Sequence, residues 1–216
     1  MSLEHVDVVL GSSIVRVPAA QLRARAAEAA RVVVDVGAGD GRLAYRLARA
    51  HTDWLCMAVD ACAAGMQRLS WRAQRKTGRG GAPNAVFIRA AAESLPDGLA
   101  AIADEVSVCY PWGSLLQAVI RPDDTVLRRI ARVGRPGAAL RIRVNVSALI
   151  ALTGRVGAML ADGGSPLRSS YAAAGIRLDF CGQVREEGET SWGARLHGGR
   201  PATVLAIDGT VLGRAA

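Results

Sequence analysis

The stretch VVVDVGAGDGRLAYRLARA at residues 32–50 decides the fold of this chain. A run of mostly β-branched residues, Val32–Val36, leads directly into a turn with glycine at positions 37, 39 and 41, and a helical segment follows near 41–50. Glycine there permits a tight turn and a close approach of a ligand to the backbone. A buried strand that enters a helix through such a turn is typical of an open α/β sheet that binds a ligand at this point.

Similar apolar runs alternate with helical segments along the rest of the chain, which is typical of a parallel sheet covered on both faces. The predicted strands are Val6–Leu10, Ile14–Val17, Val32–Val36, Leu55–Val59, Ala85–Arg89, Glu105–Tyr110, Ala138–Val146, Ile176–Gly182 and Thr203–Asp208. The first two form a hairpin, and the last two add an antiparallel edge. We therefore expect a Rossmann-like α/β fold with a seven-stranded, mainly parallel sheet and an N-terminal β-hairpin extension at residues 1–20, within a single domain that spans 1–216.

Composition limits the class of protein. Half of the 216 residues are hydrophobic, so the chain can bury a substantial core, and 27 basic against 19 acidic residues give a net charge of +8. An excess of positive charge favours a nucleic-acid partner, although an arginine-rich genome gives the same composition. No apolar run is long enough to cross a bilayer, and no signal peptide is visible, so we expect a cytoplasmic protein without a membrane partner.

The four cysteines, at positions 56, 62, 109 and 181, are scattered, and none forms a CxxC pair or has a neighbouring histidine. This pattern is typical neither of a metal site nor of a disulfide framework. We expect reduced thiols, with Cys56, Cys109 and Cys181 in the core, and no bound metal.

Carboxylates flank the glycine turn, which reads Asp35-x-Gly37-x-Gly39-Asp40-Gly41. A carboxylate repels the pyrophosphate of a dinucleotide, whereas it attracts the amino and sulfonium groups of S-adenosylmethionine. The turn therefore favours S-adenosylmethionine as the cofactor over a dinucleotide, and an oxidoreductase is the weakest alternative.

Three further segments follow predicted strands. Asp60 closes the second strand of the main sheet, where a carboxylate accepts hydrogen bonds from ribose hydroxyls, and Ala92 and Glu93 follow the third, where they suit an adenine edge. Pro111 and Trp112 follow the fourth, where a proline stiffens the turn and an exposed tryptophan suits base stacking. The alternatives are that Asp60 and Glu93 only cap helices and that Trp112 is a buried structural residue.

Taken together, these motifs resemble the aminoglycoside-resistance methyltransferases that modify N1 of adenine 1408 in the decoding site of 16S rRNA. The resemblance covers nearly the whole chain and is carried by VVVDVGAGDG at 32–41, AVDA at 58–61, AAESLP at 91–96, YPWGSLL at 110–116 and ETSWGARL at 189–196. The glycine turn is generic, whereas the two tryptophan motifs are specific. The family's fold is a Rossmann-like sheet with an N-terminal hairpin, and insertions, here 147–175 and 183–200, form its RNA-binding face.

The resemblance implies roles for particular residues. Trp112 and Trp192 would hold the target adenine between them, and Thr190 would fix the loop of the second tryptophan. The methyl donor would be held by Asp35, Gly37, Gly39, Asp60, Ala92, Glu93 and Pro111. RNA phosphates would be contacted by Arg195 and Arg200 and by the helix that carries Arg68, Arg72, Arg75 and Lys76. Trp71 departs from the family pattern, because another basic residue is expected there.

The reaction implied by the resemblance requires no general base, since N1 of neutral adenine already carries an in-plane lone pair. It requires alignment of the nucleophile with the methyl group and stabilisation of the developing positive charge by the two indole faces. We expect a monomer that acts on the 30S subunit. The alternatives are a methyltransferase of the same fold that acts on another rRNA or tRNA nucleotide or on a small molecule, and a non-catalytic RNA-binding module.

Overall fold

The structure is a computed structural model that describes residues 4–153, 165–186 and 202–213. Its strands are β1 (His5–Leu10), β2 (Ser13–Pro18), β3 (Arg31–Val36), β4 (Trp54–Asp60), β5 (Ala85–Arg89), β6 (Ala103–Cys109), β7 (Gly134–Asn145), β8 (Ile176–Glu186) and β9 (Ala202–Val211). Its α-helices are α1 (Ala19–Glu28), α2 (Arg42–Ala50), α3 (Ala63–Ala73), α4 (Gly113–Ile120), α5 (Asp124–Val133), α6 (Val146–Thr153) and α7 (Ser165–Ala173). Short 3-10 helices lie at Thr77–Arg79, Ala92–Ser94 and Asp97–Leu99.

The described strands form one nine-stranded sheet in the order β2-β1-β5-β4-β3-β6-β7-β9-β8. Strands β3 to β7 are mutually parallel, whereas β9 runs antiparallel to both of its neighbours, β7 and β8. The prediction of a Rossmann-like α/β fold is confirmed. The predicted hairpin, β1 and β2, extends the same sheet because β1 pairs with β5, so the sheet has two strands more than its seven-stranded main part.

Strand order reverses at β3, because the next strands along the chain lie on one side of it and β6 lies on the other. In open α/β sheets, ligands bind in the crevice beyond the carboxyl ends of the strands at such a reversal. The glycine turn that follows β3 therefore lies at the position where the topology opens a cleft.

The continuous apolar runs of the central strands are explained by burial on both faces. In β4, Leu55, Met57 and Val59 belong to the larger core cluster. The intervening Cys56 and Ala58 belong to a second cluster with residues of α2 and α3. Since side chains alternate between the faces of a strand, a strand covered on both faces must be apolar at every position.

Several predicted boundaries differ from the structure. Within the predicted insertion at 147–175, the described residues form α6 and α7, and α6 begins directly where β7 ends. Residues 183–186 of the other predicted insertion continue β8, and 187–201 lie outside the described residues. Among the described helices, none is long and apolar enough to cross a membrane.

The cysteines differ partly from the prediction. All four thiols are free, and Cys56 lies in the core as expected. Cys109 and Cys181 are only half-buried, since each lies close to an end or an edge of the sheet. The expectation of a core position is therefore wrong for Cys109, which lines the cleft described below, whereas Cys181 packs against the larger core cluster.

Candidate active site

The three glycines of the turn after β3 each have a left-handed backbone, with φ of +74° at Gly37, +59° at Gly39 and +74° at Gly41. A Cβ atom at Gly37 would lie 2.5 Å from Leu115 Cδ2, and one at Gly41 would lie 2.6 Å from Phe87 Cε1. Gly41 is thus required by packing as well as by φ, whereas Gly37 meets only the flexible end of the Leu115 side chain and is required mainly by φ. No atom lies within 4 Å of a Cβ at Gly39, which therefore faces open space.

Asp60, the last residue of β4, is fixed to the glycine turn by its carboxylate. Its Oδ2 accepts a hydrogen bond from the backbone N–H of Gly39 at 2.8 Å, and its Oδ1 accepts one from the N–H of Cys62 at 2.7 Å. The side chain therefore links two strand-end loops and lines the cleft between them. This position is as predicted for a ribose-binding carboxylate, and the interpretation as a helix cap alone does not explain the bond to Gly39.

Asp35 lies on β3 beneath the turn and is almost completely buried. The Ser107 hydroxyl on the paired strand β6 donates a hydrogen bond to Asp35 Oδ1 at 2.9 Å. Burial raises the pKa of Asp35 to about 7, the hydrogen bond from Ser107 opposes that rise, and the nearby Asp60 and Asp40 carboxylates reinforce it. A buried carboxylate of this kind is stabilised in its ionised form by a bound cation.

Ala92 and Glu93 form the start of a 3-10 helix after β5, and both line the cleft. The Ser114 hydroxyl, in the first turn of α4, donates a hydrogen bond to Glu93 Oε1 at 3.1 Å. This contact joins the segment expected to recognise adenine to the helix that follows Trp112.

The segment between β6 and α4 makes a sharp turn. Tyr110 has a φ of +53°, which is unusual for a residue with a side chain, and Gly113 has a φ of +57°. The Tyr110 N–H donates to the carbonyl of Arg143 on β7 at 2.7 Å, so the turn is anchored to the neighbouring strand. Between these two residues, Pro111 and Trp112 lie at the rim of the cleft, and Trp112 is 52 % exposed. Trp112 is therefore not a buried structural residue.

These segments enclose a cleft of about 350 Å³ at the carboxyl ends of β3 to β6. All seven residues predicted to hold the cofactor line it, together with Trp112; the seven are Asp35, Gly37, Gly39, Asp60, Ala92, Glu93 and Pro111. Asp40 of the glycine turn also lines the cleft, whereas other lining residues were not predicted, among them Leu43, Cys109, Ser114 and Leu115. Ser114 and Leu115 belong to the quoted YPWGSLL motif, which was the available signal for them.

The predicted RNA-contacting residues are only partly described. Arg68, Arg72, Arg75 and Lys76 are all exposed, and they lie along and just after α3, away from the cleft lining. Thr190, Trp192, Arg195 and Arg200 lie outside the described residues. In the described ranges, no group of three or more histidine, cysteine, aspartate or glutamate side chains is arranged to hold a metal ion.

The cleft has an open glycine turn at the point where the strand order of the sheet reverses. Carboxylates lie at the base of the cleft and along both of its sides. This combination accommodates a cationic adenosine compound and defines the chain as an S-adenosylmethionine-dependent methyltransferase. A comparison with known protein families is more specific. The NpmA family of 16S rRNA (adenine(1408)-N(1))-methyltransferases matches residues 7–211, and the chain belongs to that family.

Individual relatives agree with this assignment. The 16S rRNA (adenine(1408)-N(1))-methyltransferase of Streptoalloteichus tenebrarius is 38% identical over 189 residues, which cover 83% of this chain and 87% of the relative. The enzyme of the same description from Escherichia coli is 31% identical over 84% of this chain and 87% of its own length.

Solved structures give the same result. A mutant 16S rRNA (adenine(1408)-N(1))-methyltransferase from Catenulisporales acidiphilia with its cosubstrate SAM superposes with a TM-score of 0.86 at 32% identity, and the match covers 98% of this chain and 99% of that one. The antibiotic-resistance methyltransferase Kmr superposes with a TM-score of 0.81 at 38% identity and covers 97% of this chain and 100% of its own. The predicted family, enzyme class and cofactor are confirmed.

Proposed function

We propose that this protein transfers a methyl group from S-adenosylmethionine to N1 of adenine 1408 of 16S rRNA in the 30S subunit and thereby confers resistance to aminoglycosides. The observation that carries the proposal is the position of Trp112, half-exposed at the rim of a carboxylate-lined cleft in a chain of this family. An exposed indole beside a cofactor cleft provides a surface on which a base can stack.

The cofactor is assigned to the cleft by its chemistry. Asp35 attracts the positively charged methionine end, Asp60 accepts hydrogen bonds from the ribose, and Ala92 and Glu93 contact the adenine edge. Gly37 lines the cleft, Gly39 leaves the backbone open to the cofactor, and Pro111 lines the cleft on the side of Trp112. When bound, S-adenosylmethionine supplies an electrophilic methyl group on a sulfonium centre.

The target adenine is assigned to the rim of the cleft. Trp112 packs against one face of the flipped base and Trp192 against the other, and Thr190 positions the Trp192 loop. Extrusion of a base costs a few kcal/mol, and stacking returns about 1–3 kcal/mol per base–aromatic contact. Two indoles are thus sufficient to offset the extrusion.

The chain has no need to remove a proton from the nucleophile, because N1 of neutral adenine has a free in-plane lone pair. The described lining of the cleft includes neither histidine nor lysine. Its residues orient the base and exclude water, which is a positioning effect. As N1 becomes cationic, the indole faces stabilise the charge.

Affinity for the substrate is assigned to basic residues outside the cleft. Arg68, Arg72, Arg75 and Lys76 on the α3 side, and Arg195 and Arg200 in the 183–200 insertion, neutralise rRNA phosphates. A basic surface that recognises the shape of an RNA suits folded RNA, so the substrate is the assembled 30S subunit. The enzyme works as a cytoplasmic monomer. Residues 1–216 form one catalytic domain, in which the 147–175 and 183–200 insertions provide the RNA-binding face.

The test is methyl transfer to purified 30S subunits with labelled S-adenosylmethionine, followed by reverse transcription through the decoding region. A methyl group on N1 blocks base pairing, so we expect a reverse-transcription stop beside adenine 1408. The stop should be strongly weakened with Trp112→Ala and with Trp192→Ala. Trp54→Phe is the matched control, because Trp54 stacks on His51 with 3.9 Å between ring centroids, at the amino end of β4 and away from the cleft.

Methyl incorporation at another nucleotide would support methyltransferase activity but reject adenine 1408 as the target. An absence of incorporation into 30S subunits, with the cofactor still bound, would reject rRNA of the small subunit as the substrate. Expression in a susceptible bacterium, followed by aminoglycoside susceptibility testing, checks the resistance directly.

A further inference from the structure

Trp71 is the most exposed large hydrophobic side chain among the described residues, with 55 % of its surface accessible. It lies near the end of α3, outside the cleft described above. Exposure of a large apolar side chain to water is unfavourable. An indole in such a position is normally either covered by a partner or required for local packing. The contacts of Trp71 distinguish these two roles.

Trp71 packs against the N-terminal hairpin. The hairpin turn between β1 and β2 touches it at Gly11, where an added Cβ would lie 3.4 Å from Trp71 Cδ1. The turn itself is attached to α3 independently, because the Gly11 N–H donates a buried hydrogen bond to Ser70 Oγ at 2.9 Å. The hairpin therefore does not depend on the indole for its attachment.

Arg75 completes the arrangement from the same helix. Its guanidinium carbon lies 4.5 Å from the centroid of the Trp71 ring, a cation–π contact. The ring and the guanidinium plane are thus presented together at the surface. Such a pair suits a nucleotide, since the indole packs against a base or ribose and the arginine neutralises the adjacent phosphate.

The surroundings of Trp71 favour RNA over other partners. Residues 61–92 contain six basic residues and no carboxylate. In the described chain, none of Arg68, Arg72, Arg75 and Lys76 takes part in an ion pair. A surface of this kind attracts a polyanion and repels a basic partner, including a second copy of this chain.

The distance to the cleft fits one large substrate. The first turn of α3 packs on the glycine turn, because a Cβ at Gly65 would lie 2.9 Å from the Gly39 carbonyl oxygen. At a rise of about 1.5 Å per residue, Trp71 lies roughly 9 Å further along the helix than Gly65. A folded RNA whose base enters the cleft therefore reaches Trp71, whereas a substrate confined to the cleft does not.

We propose that Trp71 is an RNA-contact residue, whose indole packs against a nucleotide of 16S rRNA other than the methylated adenine. The proposal rests on the proposed function for the identity of the RNA. It assigns this helix a stacking contact at a position where the resemblance suggests another phosphate contact.

The two kinds of contact differ in salt dependence. Loss of a stacking contact weakens binding without changing the number of neutralised phosphates, so the slope of log affinity against log salt concentration stays the same. Loss of a phosphate contact lowers that slope by about one. The experiment is a titration of 30S subunits with the full-length protein and S-adenosylhomocysteine, at several salt concentrations.

We expect Trp71→Ala to weaken 30S binding about tenfold with an unchanged slope, and Trp71→Phe to retain most of the affinity. Arg75→Ala should lower the slope. Ser70→Ala is the control for the hairpin, because it removes the bond to Gly11 and leaves the indole in place. Cofactor affinity and the melting temperature should be similar in wild type and Trp71→Ala.

Unchanged 30S affinity in Trp71→Ala would overturn the proposal, as would an equal loss in Ser70→Ala, which would indicate a role through the hairpin. A wild-type dimer in sedimentation that Trp71→Ala dissociates would also overturn it. If wild type methylates adenine 1408 and Trp71→Ala binds normally, only this inference fails. If Trp71→Ala loses affinity with an unchanged slope but another rRNA nucleotide carries the methyl group, the contact stands and the proposed target fails.

Discussion

The carboxylate of Asp60 accepts a hydrogen bond from the backbone N–H of Gly39 at 2.8 Å, and this hydrogen bond joins the end of β4 to the glycine turn after β3. The same carboxylate accepts a hydrogen bond from the Cys62 N–H, so both of its oxygens are held before any cofactor enters. The cleft is therefore preorganised at the boundary between the two strands, which reduces the ordering needed on binding.

Replacement of Asp60 tests this preorganisation. Hydrogen bonds to charged groups contribute about 1.5–3 kcal/mol, so we expect Asp60→Ala to weaken S-adenosylmethionine binding by one to two orders of magnitude. Asp60→Asn, which keeps an acceptor but loses the charge, should have a smaller effect. Calorimetric titration measures both. Asp53→Asn, at the other end of the strand and exposed, is the matched control, and an equal loss there would show that general charge is responsible.

The raised pKa of Asp35 predicts a pH-dependent cofactor affinity. Burial holds this pKa at about 7 in the cofactor-free protein, and a bound cation favours the ionised carboxylate. Below pH 7 binding must therefore expel a proton, so the Kd should decrease about tenfold per pH unit as the pH rises towards 7 and then level off. Calorimetry in buffers of different ionisation enthalpy detects the released proton. Asp35→Asn should abolish both effects.

Substitution of Ser107 tests whether Asp35 is responsible for the pH dependence of cofactor affinity. Its hydrogen bond favours ionised Asp35, so Ser107→Ala should raise the pKa further and move the inflection above pH 7. A downward movement would contradict the assignment to Asp35. Because the folded chain binds this proton more tightly than the unfolded chain, stability should also fall as the pH rises from about 4 to 7, and Asp35→Asn should remove that component.

Trp112 should affect the transfer step and not the cofactor. It lies half-exposed at the rim of the cleft, so its removal eliminates a stacking surface for the base. We expect Trp112→Ala to reduce single-turnover methylation of 30S subunits by one to two orders of magnitude and Trp112→Phe to reduce it less, with little change in S-adenosylmethionine binding. A parallel loss of cofactor affinity would instead place Trp112 in the cofactor site.

Two alanine substitutions in the glycine turn should differ in stability. Both positions are left-handed, which costs about 1–2 kcal/mol for a residue with a side chain. Gly39→Ala should lower the free energy of unfolding only by that amount, because no atom lies close to the added methyl group. Gly41→Ala should lower it further, because the added methyl group is forced against Phe87. Urea unfolding gives the two free energies. Equal values would indicate that the Phe87 ring moves aside without penalty.

Sequence patterns predicted the features that depend on local order. The strand and glycine turn at 32–41 are adjacent in the chain, and the rule that parallel strand ends converge placed Asp60 and Glu93 in the same cleft. The contacts Ser107–Asp35 and Ser114–Glu93 were not predicted, because each depends on the spatial register of segments far apart in sequence. Cys109 was misplaced for a related reason, since an apolar strand does not reveal which of its residues reaches the open end of the sheet.

The contact between Gly37 and Leu115 has a consequence for how this protein family can diversify. A Cβ at position 37 would meet the Leu115 side chain at 2.5 Å, so the turn beneath the cofactor is in direct contact with the helix that follows Trp112. A larger residue at 37 would have to adopt a left-handed backbone and displace the end of the Leu115 side chain. Among descendants of this sequence, a change at 37 should therefore be accompanied by a different conformation of Leu115.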